Sequence, residues 1–146
     1  MKKTQIASGA TYAPTAEAEK VVQPGEFIFA AAYLDHGHIY GQTNGLKDAG
    51  GTLKWVYDPD AKRVADFIEK HPEARVADSF QQILDDPEIK MVTSAAIPSE
   101  RAEIGFQVMR AGKDYFTDKS PFTTLAQLET ARKLATETGC RYMVYY

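Results

Sequence analysis

The stretch FIFAAAYLDHGHIYGQTNGLKDAGGTLKWVYD, residues 27–58, constrains this chain more than any other. It opens on an unbroken apolar run, Phe27 to Ala32, the pattern of a strand buried on both faces. A short turn, Ala32-Tyr33-Leu34-Asp35-His36-Gly37, leads into a helix that ends at Gly50-Gly51. A second strand, Thr52 to Tyr57, closes on Asp58. Strand, tight turn, helix, strand and acid together give the layout of the first half of a dinucleotide-binding fold. Asp58 lies 21 residues past Gly37, close to the ~20 expected of a ribose-binding carboxylate. The turn departs from G-x-G-x-x-G, because Ala32 and Leu34 take the first two glycine positions and only Gly37 matches the third.

From Glu26 onward strand and helix patterns alternate. Pro59 suits a first helical position with Asp58 or Asp60 as cap, and Ala61, Val64, Ala65 and Ile68 form an apolar stripe. His71-Pro72 ends that helix, which places His71 at an exposed end. A short strand from Arg75 to Ala77 precedes Ser79, with Gln82 at capping-box spacing and Phe80, Ile83 and Leu84 on the buried side. A fourth strand runs from Lys90 to about Ala96; Ser99 then caps a helix with Ala102, Phe106 and Met109 inward, stopping at Ala111-Gly112. The fifth strand, Asp114 to Thr117, runs into the polar turn Asp118-Lys119-Ser120-Pro121. Thr124 and Gln127 form a second capping box, opening a helix with Leu125, Leu128, Ala131, Leu134 and Ala135 inward. Arg141 to Tyr146 reads as a sixth strand.

Six strands joined by five crossovers predict an α/β domain, a doubly wound parallel sheet with helices on both faces. Right-handed crossovers favour the Rossmann-like strand order 3-2-1-4-5-6. Ligands of such sheets lie outside the carboxyl ends of the strands, at the switch point between strands one and four. That rule selects the loops 33–38, 58–60, 95–99 and 118–121, and within them Leu34, Asp35, His36, Gly37, Asp58, Ala96, Pro98 and Lys119 as cofactor-facing residues.

Several of these residues stand beside other readings. Asp58 serves a ribose or caps the next helix; Gly37 faces a cofactor or merely permits a left-handed turn. Lys119 donates to a substrate oxygen or is a solvated lysine. Asp35-His36-Gly37-His38 offers metal-ligand side chains, but the histidines are two apart and no second His or Cys cluster accompanies them, so no metal is assigned.

Residues 1–25 are polar, end in Gln23-Pro24-Gly25, and read as an arm outside the domain of residues 26–146. Lys2 and Lys3 are followed by no apolar segment of a signal peptide, and no window approaches a membrane span. A net charge of −3 argues against a non-specific nucleic-acid or anionic-membrane binder, both of which rely on dense Lys/Arg clusters. With a single cysteine, Cys140, the balance points to the cytoplasm.

Taken together, these motifs resemble the N-terminal domain of the Gfo/Idh/MocA oxidoreductases over residues 26–146. The resemblance rests on Val56-Tyr57-Asp58-Pro59-Asp60, on the Leu84-Asp85-Asp86-Pro87 core of residues 80–89, and on Ala111-Gly112-Lys113 followed by Thr117-Asp118-Lys119. It implies an NAD cofactor, with NADP not excluded, and hydride transfer to or from a sugar- or polyol-like substrate. Lys119 matches the lysine of the family's Glu-Lys-Pro motif, near nicotinamide and substrate, and is the implied catalytic residue. Asp118 replaces the motif's glutamate, Ser120 takes its proline position, and Arg101 stands where a histidine usually follows strand four. The resemblance stops short of the family's C-terminal substrate domain, so the expectation is an isolated chain that is inactive and self-associates through its last strand edge. A second reading is a non-catalytic Rossmann module, its pyrophosphate site closed by Leu34.

Overall fold

The structure is a computed structural model that describes residues 19–146. Eleven elements alternate along the chain: β1 (Ile28–Ala32), α1 (His38–Asp48), β2 (Thr52–Tyr57), α2 (Ala61–Lys70), β3 (Arg75–Val76), α3 (Phe80–Asp85), β4 (Ile89–Ser94), α4 (Pro98–Arg110), β5 (Asp114–Asp118), α5 (Leu125–Thr138) and β6 (Tyr142–Tyr145). The strands form one sheet of order β3-β2-β1-β4-β5-β6, and every neighbouring pair is parallel. The doubly wound order expected from the alternation is the one found.

β1 lies at the centre, and Phe29 through Ala32 are fully buried, as a strand covered on both faces must be. On one face Phe29, Ala31, Leu53, Val56 and Met91 pack against Ile39 of α1 and Val64 and Phe67 of α2. On the other, Ala30, Ala32, Val92 and Tyr115 meet Phe80 and Ile83 of α3 and Ile104 and Val108 of α4. A smaller cluster, Ala102, Phe106, Met109, Ala131 and Leu134, joins α4 to α5. The chain reverses its winding between β1 and β4, so the two halves open a crevice at the carboxyl ends of those strands.

Some local expectations need correction. The buried stripe of α2 is Val64, Phe67 and Ile68; Ala61 and Ala65 are exposed, because the large Phe67 ring claims the contact with the sheet. His71 is 3% exposed, its ring lying against Phe67 and Tyr40. In α4 the cap position is Ile97 with Pro98 first in the helix, so Ser99 is inside it. Leu125 of α5 is 79% exposed: the capping box holds at Thr124 and Gln127, but the first turn extends beyond the α4 surface. Of the proposed arm, residues 1–18 lie outside the described residues. Residues 21–25 are tied to the domain, since the Val21 amide donates to Ala49 O at 2.9 Å and the Gly25 amide to Thr52 Oγ1 at 2.9 Å.

Candidate cofactor crevice

Tyr33, the first residue past β1, has φ of 56°, a left-handed conformation costly for a bulky side chain. Its neighbours hold it there. The Tyr33 amide donates to Tyr57 O at 3.0 Å, its carbonyl accepts from Ala95 at 3.1 Å, and its ring packs edge-on against Tyr57 and Phe80. Burial first, then the neighbouring Tyr57, pushes the Tyr33 hydroxyl up to about 12, so it stays protonated. This twist sends the next side chain, Leu34, down into the α1–α2 side of the core, where it is 7% exposed.

Gly37 needs neither a left-handed backbone nor a close internal approach. Its φ and ψ are −60° and −14°, and a Cβ added there meets nothing within 4 Å. The space outside the N-terminus of α1 is therefore open. The N-cap residue Gly37 has no side chain to offer, the first helical amide, His38, donates to His36 Nδ1 at 3.2 Å, and the amides of Asp35 and Gly37 have no partner among the described residues. Free amides at a helix start, with the helix dipole behind them, form an anion site.

Asp58 braces this turn. Its Oδ2 accepts from the Leu34 amide at 2.6 Å and its Oδ1 from the Asp60 amide at 2.7 Å. Asp60, not Asp58, caps α2 through the Lys62 amide. Arg63 Nη1 lies 3.0 Å from Asp35 Oδ1 and 3.2 Å from Asp58 Oδ1, with its Nε 3.8 Å from Asp60 Oδ2. The Asp58 side chain is fully enclosed beneath it. A ribose hydroxyl reaches Asp58 only where Arg63 moves aside.

The other half of the crevice is built on Arg101, a residue to which the sequence reading gave no role. It is 3% exposed. Its Nε donates to Ala96 O at 2.6 Å, Nη1 donates to the carbonyls of Lys119 and Ser120, and Nη2 lies 3.2 Å from Asp118 Oδ2. One guanidinium thus joins the loop after β4 to the loop after β5. Asp118 Oδ1 accepts from the Lys119 amide at 2.8 Å and pairs with His38 Nδ1 at 2.9 Å, while His36 Nδ1 stands 3.5 Å from Oδ2. Lys119 and Pro98 are exposed and Ala96 is buried; the Lys119 ammonium has no partner among the described residues. Two elements of the sequence reading thus become one cluster, because α1 starts beside the end of β5. Gln42 of α1 secures that approach, its Nε2 donating to Thr93 Oγ1, Ser94 O and Phe116 O at 3.1–3.2 Å.

The profile of an oxidoreductase family, GFO_IDH_MocA with its NAD-binding Rossmann fold, matches residues 29–146. The chain belongs to the Gfo/Idh/MocA family. A putative oxidoreductase from Erwinia carotovora atroseptica SCRI1043 is similar in structure, with a TM-score of 0.79 and 39% identity over 82% of this chain and 36% of that one. GenD2 from gentamicin A biosynthesis, in complex with NAD, superposes with a TM-score of 0.76 at 20% identity, covering 90% of this chain and 37% of its own. Levoglucosan dehydrogenase, in complex with NADH and levoglucosan, gives 0.70 at 16% identity, over 81% of this chain and 34% of its own. This chain therefore spans about a third of the length of each. No curated protein matches it.

The residues present fit the family's cofactor. A pyrophosphate needs bare backbone and free amides at the start of α1, and both are provided at Asp35 and Gly37 despite the missing glycines. The Gfo/Idh/MocA domain here achieves this with Tyr33 in a left-handed conformation, which removes the Leu34 side chain from the ligand side. His36, His38 and Asp118 also bring ligating atoms within 4.8 Å of one another, a spacing compatible with a metal. The carboxylate there is already matched by Arg101, so a second cation would meet the like charge of the guanidinium. Among the described residues no helix is long and apolar enough to cross a membrane.

Proposed function

We propose that this chain is the cofactor-binding part of an NAD-dependent oxidoreductase that interconverts a hydroxyl and a carbonyl on a sugar- or polyol-like substrate. The observation carrying this reading is the open start of α1, where a Cβ on Gly37 meets nothing and Leu34 is turned into the core. The alternative of a non-catalytic module depended on Leu34 closing that space, and it loses its ground.

Bound NAD would supply the hydride acceptor. The chain's own groups bind and orient. Asp35 and Gly37 amides take the pyrophosphate, and His36 lies beside them. Asp58, Asp60 and Asp35 form the acidic surroundings of the adenosine ribose, with Ala96 and Pro98 walling the nicotinamide side. Asp58 at the end of β2 favours NAD where Arg63 moves aside from it, whereas Arg63 left in place is the group that would accommodate the extra phosphate of NADP. Lys119, whose ammonium is unengaged among the described residues, donates to the reacting substrate oxygen and stabilises negative charge developing on it.

Residues 26–146 form the cofactor domain; a substrate domain outside this chain completes the pocket, so the isolated chain is inactive. A cytoplasmic setting suits its single, unpaired cysteine. The test is thermal unfolding of the 146-residue chain with NADH, NADPH or neither. A ligand at about 100 times its dissociation constant adds about 2.7 kcal/mol, a shift of several degrees. NADH should shift the midpoint more than NADPH. No shift with either returns the module reading to first place.

A further inference from the structure

His36 and His38 share one carboxylate, yet their other contacts force them into opposite tautomers. A carboxylate only accepts, so the 2.9 Å contact from His38 Nδ1 to Asp118 Oδ1 places the proton on His38 Nδ1. The lone pair of His38 is then on Nε2. His36 is set the other way: the His38 amide donates to His36 Nδ1 at 3.2 Å, which leaves the proton of the neutral ring on Nε2. Its 3.5 Å approach to Asp118 Oδ2 then joins two acceptors and becomes an ion pair only on protonation. The rings meet edge-on with centroids 4.2 Å apart, and Tyr145 closes on His38 at 5.7 Å.

Asp118 is 2% exposed and anchored by Arg101 and the Lys119 amide, whereas the His38 side chain is 38% exposed. The Nδ1 edge of His38 faces the buried acid, so the exposed part of the ring is the Nε2 side. One ring thus presents a hydrogen-bond donor and the other an acceptor, where the start of α1 meets the end of β5 at the carboxyl edge of the sheet.

We infer that His36 and His38 form a paired site for a substrate hydroxyl, with His38 Nε2 as the general base backed by Asp118 and Arg101. The inference rests on the oxidoreductase reading above and adds a proton acceptor to it. In the oxidative direction bound NAD would take the hydride of the substrate C–H bond and be reduced, while the O–H proton would pass to His38 Nε2 as the carbon–oxygen double bond forms. The resulting imidazolium keeps its Nδ1–H on the Asp118 carboxylate, which stabilises it as the charge appears. The His36 Nε2–H is the donor that would serve the same oxygen. Reduction runs through the same atoms in reverse.

The experiment is long-range nitrogen–proton NMR on the 15N-labelled 146-residue chain, above the ordinary titration range of imidazole. Single His→Gln variants assign the rings. His38 should carry its proton on Nδ1 and His36 on Nε2. In Asp118→Asn, whose amide can also donate, the single His38 tautomer should be lost. His38 protonated on Nε2, or an unbiased mixture in the unaltered chain, overturns the assignment.

Acylation by diethyl pyrocarbonate, mapped by mass spectrometry, reads the free Nε2 lone pair directly. His38 should react at least about tenfold faster than His36, the bias one charge-assisted hydrogen bond sustains. Equal rates, or a faster His36, overturn the assignment. The NADH thermal shift is read separately on the same chain. Its absence overturns the cofactor reading whatever the tautomers; its presence with the wrong tautomers overturns the His38 role alone.

Discussion

Leu34 occupies the position where a dinucleotide fold usually exposes bare backbone, yet it is part of the α1–α2 core. The reading in which Leu34 closes the pyrophosphate site makes Leu34→Gly an opening mutation that strengthens cofactor binding. The structure reverses that expectation. Removing a buried leucine costs about 2–5 kcal/mol, and the crevice side gains nothing. Urea unfolding of Leu34→Gly should show that loss with no tighter NADH binding; tighter binding would restore the leucine as an obstacle. The inversion was not legible because it depends on Tyr33 taking a left-handed backbone that no motif announces. His71 is a similar case. Pattern put it at an exposed helix end, but it is buried and its Nε2 has no partner among the described residues. Burial first, then nearby Lys47, lowers its pKa from 6.5, so the folded state holds it neutral. The unfolded chain takes up the proton first as pH falls. The contribution is therefore full above the unfolded value and is lost progressively below it. Urea midpoints should drop on acidification through the imidazole range, and His71→Gln should flatten that slope; an unchanged slope would remove His71 as its source.

At the scale of elements, caps and strand order were readable because each is fixed by local chemistry or by chirality. Thr124 and Gln127 make both bonds of a capping box, and Ser79 accepts from the Gln82 amide. Which face of a helix is buried was less readable where small residues compete with large ones, as Phe67 does with Ala61 and Ala65. The same limit hid Gly105. This residue sits inside α4, where alanine would ordinarily favour the helix. A Cβ there would lie 2.6 Å from the Tyr115 ring and 2.7 Å from that of Tyr142. Tyr115 is fully buried and packs edge-on against Tyr142, so neither ring can yield cheaply. Gly105→Ala should destabilise by about 1–3 kcal/mol, overpacking outweighing helix propensity. A variant as stable as its parent would mean that α4 shifts away from β5 freely. The Arg101 clasp was equally hidden, because its partners are backbone carbonyls of two loops that no pairwise spacing in the sequence connects.

At the scale of the whole molecule, the parallel sheet was legible because right-handed crossovers leave few orders for six alternating strands. How the sheet ends was not. Among the described strands β6 is an edge, paired on one side with β5. Beside it lies an apolar groove lined by Phe122, Leu128, Ala135, Cys140, Met143 and Val144. All four residues of β6 are only partly buried. Unpaired backbone next to half-covered apolar side chains invites a further strand. In an enzyme three times as long, other parts of the protein could meet this surface; between isolated chains a second copy can. Sedimentation velocity should therefore show concentration-dependent dimers of the 146-residue chain. Val144→Lys, which sets a charge on that edge, should return it to monomer while leaving the NADH-induced thermal shift intact, since the crevice lies at the strand ends and not along β6. A monomer at every concentration would leave the β6 edge without a role in association.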